Sequence, residues 1–166
     1  MYAGLFLMSL STLALEITLV RLLSVVTWYH LASFAIATAL LGMTAGATSV
    51  YLRPDAFVGG VAKRRVVRAC LGFAAVAPAA LVLLCALPLG MYRSAMSPLV
   101  FFVGTVVCAV PFYFSGIVVS TVLTRYGRPI GKLYASDLLG ASLGCLFVLG
   151  GLGLFDAPSL ILLCGA

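Results

Sequence analysis

The sequence predicts an all-α, polytopic transmembrane helix bundle: a single domain over residues 1–166 with five spans and the start of a sixth. Three observations carry this expectation. Of the residues, 64% are hydrophobic and only 8% charged, against about 45–50% and about 25% in soluble domains. Apolar runs long enough to cross roughly 30 Å of hydrocarbon recur along the chain. The basic residues gather mainly in two connecting segments, so the net charge of +6 reads as basic cytoplasmic loops and not as a nucleic-acid surface.

The first run, residues 4–27, lacks a basic leading segment and is too long for a signal peptide's apolar stretch, so it is expected to be a retained helix. Inside it, Leu13 to Leu23 reads LALEITLVRLL and carries Glu16 and Arg21. Charges at membrane depth usually face a protein interior or a watered cavity. Two readings stay open: the charges orient and lock helices, or they build a buried polar site for a proton, a ligand or a lipid headgroup. Five positions separate the two, about 140° around a helix, so each is expected to meet a different neighbour. Trp28, Tyr29 and His30 then mark the membrane boundary, as an aromatic belt does.

The second span, 31–52, is rich in small residues, and Gly42 and Gly46 form a GxxxG that permits close backbone approach. The short connection makes the first helix its expected partner. Arg53 to Arg68 reads as the one long polar loop, broken by Pro54, Gly59 and Gly60. Its cluster of Lys63, Arg64, Arg65 and Arg68 is a positive-inside signal and is compatible with anionic lipid headgroups. The third span, 69–89, holds Pro78, and the fourth, 98–124, holds Pro111. Both prolines are expected to kink their helices. Phe112, Tyr113 and Phe114 read as packing or lipid-facing surface.

Arg125, Arg128 and Lys132 make the second basic loop before the fifth span, 132–155, which opens GKLYASDLLGASLG. Tyr134 and Asp137 are three apart and share a face, and Gly140 and Gly144 form a second GxxxG beside it. Residues 159–166 are apolar but too short to span, and read as the beginning of a sixth helix or as a short re-entrant end. Five basic residues in the first loop and three in the second, against Arg93 alone in the turn between spans three and four, place the N-terminus and both loops in the cytoplasm. The five cysteines fall in apolar runs without a CxxC pair, as small buried hydrophobes do.

The pattern of Glu16 and Arg21, then Gly42 and Gly46, then Tyr134, Asp137, Leu138, Gly140, Ala141 and Gly144, resembles the membrane-embedded N-terminal region of spermidine-synthase-like fused membrane proteins. The resemblance covers nearly the whole chain, and its most specific part is the block from Tyr134 to Gly144. It implies further helices and a cytosolic aminopropyltransferase-like domain beyond these residues, in a bacterial inner membrane. The residues themselves offer no nucleophile–base pair, no metal-ligand cluster and no glycine-rich phosphate loop. The expected function is therefore a non-catalytic membrane module, the anchor of a synthase-like protein or an accessory subunit of a larger membrane complex. A transporter-like or small-ligand-binding unit using Glu16, Arg21 and Asp137 is the alternative. No cofactor is expected, bound lipid is compatible, and the expected partners are the bilayer and other membrane subunits or the missing C-terminal domain.

Overall fold

In a computed structural model, the residues described are 1–26, 30–57, 59–86, 97–125 and 129–151, with Ser159 and Gly165 beyond them. Trp28, Tyr29, Arg93, Arg128 and Asp156 lie outside the described residues. Five helices follow in chain order: α1 (Tyr2–Val26), α2 (His30–Leu52), α3 (Gly59–Ala86), α4 (Ser97–Arg125) and α5 (Ile130–Gly151). Each is long and apolar enough to cross a membrane. With no water in the hydrocarbon layer, every backbone polar group must be satisfied inside its own segment, and helices do that. Leu40, Leu41, Leu71, Val82, Leu139, Leu146 and Leu149 are exposed, as lipid-facing residues of a bundle are.

Two helix pairs meet most extensively, α2 with α4 and α1 with α5, and α3 packs on α4. Both pairs are closed by glycine against backbone. A Cβ at Gly140 would meet the Phe6 carbonyl, and one at Gly144 would stand 2.7 Å from the Leu10 oxygen. The rising order of these contacts makes α1 and α5 parallel. On the other seam, Gly42 lies against Ala109 and Phe112, Gly46 against Tyr113 and Gly116, and Gly116 against Met43. This corrects the expected partner of the first GxxxG, which is α4 and not α1. The reason is Gly116, a small residue on α4 that lets both backbones approach at once.

The long polar loop is also corrected. Pro54–Phe57 forms a single 3₁₀ turn, and α3 already begins at Gly59, whose φ of 59° only a glycine adopts easily. Lys63, Arg64, Arg65 and Arg68 therefore lie on helix. Lysine and arginine are good helix formers, and the end of a helix standing in the headgroup layer has water for its unpaired groups. At 28 residues, α3 is about 42 Å long, so its first turns extend past a hydrocarbon layer of about 30 Å.

Pro78 and Pro111 sit inside α3 and α4, which continue through them. A proline withdraws the bond to the carbonyl four residues earlier. For Pro78 that carbonyl is Ala74, and Gly165 lies against Ala74 and Pro78. Ser159 and Gly165, the described positions of the terminal run, are both helical. The bundle's interior is built on α4: Phe112, Ser115, Val118, Thr121 and Val122 are all buried.

Candidate functional site

The α1 sequence places Ser9, Thr12 and Glu16 at i, i+3 and i+7, one stripe of a helix. On α5, Asp137, Gly140 and Gly144 have the same spacing. Close approach through Gly140 and Gly144 presses these stripes together, and α4 adds Ser115. The result is a small, half-open cavity of about 120 Å³, which Ser9, Thr12, Glu16, Ser115 and Asp137 line together with apolar side chains of α1, α2, α4 and α5. At about 30 Å³ per water molecule, its volume equals roughly four. No basic side chain is among its lining residues.

Its hydrogen bonds have a direction that proton counting supplies. Thr12 Oγ1 donates to the Met8 carbonyl at 2.7 Å, which uses its one proton. The Ser115 hydroxyl, 2.6 Å away, must then donate to Thr12. Ser9 Oγ reaches two acceptors, the Leu5 carbonyl at 2.9 Å and Asp137 Oδ1. With a single proton it serves one of them at a time. Ser9 and Asp137 thus join α1 to α5 one turn from the Gly140 contact. Nearby, Ser136 donates to the Tyr2 carbonyl at 2.9 Å, a second bond across the same seam.

Glu16 and Asp137, both half-buried, are brought to one cavity. Arg21 is not. It is exposed, which corrects the expectation that Arg21, like Glu16, meets a neighbouring helix. With Glu16 turned to the cavity, the 140° offset directs Arg21 outward, five residues from the end of α1. From there an arginine can extend its charge to the interface while its stem covers apolar surface. Tyr134 is 54% exposed and does not join Asp137 at the site, although the two are three apart. Lys63, Arg64, Arg65 and Arg68 are all exposed on α3, and of these Arg65 and Arg68 border a groove with Phe57 and Phe114. Ser9, Thr12 and Ser115 were not singled out in the sequence; the polar stripe through Glu16 is the signal that marks the first two.

Among the described residues, no three of His, Cys, Asp and Glu gather where they could hold a metal ion. Cys70, Cys108 and Cys145 are free thiols. Thr121 Oγ1 is buried without a hydrogen-bond partner among the described residues. The class that fold and site define is an integral-membrane bundle of α-helices with a half-open pocket between α1, α4 and α5, where two carboxyl groups and three hydroxyls meet apolar side chains. Comparison with protein families, curated proteins and solved structures finds no match to this chain.

Proposed function

We propose that this chain is a non-catalytic membrane module, either the anchor of a synthase-like protein or an accessory subunit packed into a larger membrane complex. The carrying observation is the use made of its intramembrane polar groups. Asp137 accepts from Ser9 across the seam that Gly140 and Gly144 close, and Ser115 bonds Thr12 where α4 meets α1. The first bond ties α1 to α5 where their backbones already touch, and the second links α4 to α1. A seam closed backbone to backbone favours a fixed scaffold over a moving transport pathway.

The reading includes an orientation. Arg53 and the basic turns of α3 stand at one end of the bundle with Arg125, whose Nη2 donates to the Pro54 carbonyl at 3.4 Å. Lys132 begins α5 close by in the chain. That concentration of positive charge belongs on the cytoplasmic side, with the N-terminus inside, and the resemblance favours a bacterial inner membrane.

One observation favours a second reading. Two carboxyl groups face a single cavity with three hydroxyls and no basic residue in its lining. Oxygen ligands of this kind suit a proton or a small hard cation. Asp137→Asn and Glu16→Gln separate the two. The module reading expects Asp137→Asn to weaken the bundle or release a partner subunit, with no solute uptake affected. Folded, assembled variants that lose a pH-dependent uptake or cation-binding signal would establish the binding reading in its place.

A further inference from the structure

A second feature lies on α3 and α4, away from the carboxylate cavity. Arg65 and Arg68 are one turn apart on the same helix side. With Phe57, Ala69, Phe114 and Ile117 they line an open groove of about 350 Å³. That volume is within the range of small-molecule sites, about 300–1,000 Å³. One end of the groove carries two guanidinium groups and the other only apolar side chains. No carboxylate is among its lining residues.

Two details preorganise it. The Arg65 guanidinium lies 4.9 Å from the centre of the buried Phe57 ring, a cation–π distance that holds the charge over the groove. Phe114, the apolar wall, lies on Gly72 of α3. A Cβ there would stand 2.9–3.1 Å from three atoms of the ring. The absence of a side chain at position 72 therefore seats the ring against the α3 backbone.

Depth decides what fits. From Ala69 to Ala86, α3 covers about 27 Å, close to the whole hydrocarbon thickness. Arg65 and Arg68 are then at headgroup level, and Phe114 and Ile117 line the groove where acyl chains begin. Arginine pairs bind phosphate through several charge-assisted hydrogen bonds at once. We infer that the α3–α4 groove is a binding site for one anionic phospholipid, with its phosphate on Arg65 and Arg68 and an acyl chain along Phe114 and Ile117. The site is narrower than the basic cluster as a whole, because Lys63 and Arg64 do not line the groove. The lipid would belong to the leaflet that faces the α2–α3 connection, and it would cover the exposed seam between α3 and α4.

The test uses the full chain in mixed phosphatidylcholine–phosphatidylglycerol vesicles, extracted in mild detergent and weighed by native mass spectrometry. Arg65→Gln with Arg68→Gln is compared with Lys63→Gln and Arg64→Gln, which remove the same charge outside the groove. The first pair is expected to retain phosphatidylglycerol more weakly by roughly tenfold or more, from the loss of the charge-assisted hydrogen bonds that two guanidinium groups give its phosphate. The second pair is expected to retain it nearly as the parent does. Soluble glycerol phosphate should not displace the lipid, since it has no chain for the apolar end. Equal loss from both pairs, or no loss from either, would overturn the site. So would displacement by glycerol phosphate, which would make it a phosphate site. A change of oligomeric state on losing Arg65 and Arg68, with lipid retention intact, would make the groove a protein interface and overturn the lipid assignment.

Discussion

Replacing Gly140 by alanine sets two opposed effects against each other. Helix propensity alone favours alanine over glycine by about 0.8–1 kcal/mol inside a helix. The seam opposes it. The added Cβ would meet the Phe6 carbonyl oxygen inside contact distance, with the Phe6 carbonyl carbon at 3.0 Å and its Cα at 3.1 Å. These are backbone atoms of α1, with no rotamer to move into. Carbon atoms rest at about 3.5–4.0 Å, so the two helices must part by about half an ångström or more, which forfeits a quarter or more of each contact's attraction. Overpacking of this kind costs about 1–3 kcal/mol. Stretching the Ser9–Asp137 bond adds about 0.6 kcal/mol, the average for such bonds in membranes. The net expectation is a loss of about 0.6–2.8 kcal/mol. Gly150→Ala is the control, because nothing lies within 4 Å of a Cβ there. It should be neutral or slightly stabilising. Reversible unfolding in mixed micelles, followed by circular dichroism, measures both. Equal effects of the two substitutions in sign and size would refute the close α1–α5 seam.

Thr121→Val is expected to stabilise the bundle by about 1 kcal/mol, because it removes a buried hydroxyl that has no partner among the described residues; the same unfolding assay reads it, and a clear loss would show that the hydroxyl is satisfied. Ser115→Ala should cost about 0.6 kcal/mol, up to about 1.7, by breaking its bond to Thr12. Arg21→Met should disturb stability less than Asp137→Asn, since Arg21 is exposed and Asp137 bridges two helices; the reverse order would place Arg21 in a contact. A cysteine at Asp55, in the turn between α2 and α3, should react with an impermeant maleimide only from the cytoplasmic side of sealed vesicles, and labelling only from outside would invert the orientation.

The helices were legible because a membrane span announces itself by length and composition, which need no periodicity. The predicted second and fourth spans differ from α2 and α4 by one residue at an end. The third began ten residues too late. There, Gly59, Gly60 and four positive charges read as loop, because the composition of a helix in the headgroup layer is that of a loop. Nothing local distinguishes a solvated helix turn from a solvated coil when both satisfy their backbone with water. Helix pairing was harder still. Gly42 and Gly46 announce a close contact without naming its partner, and chain proximity pointed to α1. The partner was fixed by Gly116, one of two well-separated glycines on α4 and outside any motif.

The site shows a similar division. Glu16 and Asp137 stand out singly in any apolar sequence, and both reach the cavity. Arg21 and Tyr134 stand out equally and do not. The difference is phase. Glu16 continues a stripe begun by Ser9 and Thr12, and Asp137 continues into Gly140 and Gly144, so each carboxylate stands on the face that its helix buries. Arg21 lies about 140° from Glu16 and belongs to no such stripe. Rarity of charge therefore marks candidates, while the small or hydroxylic residues three and seven positions away decide which of them enter the protein. Serine and threonine matter here because each can return its proton to its own helix, as Thr12 does to Met8, and still offer an oxygen to a neighbour. In an environment without water, that lets two helices exchange a hydrogen bond at a seam where a larger polar side chain would not fit.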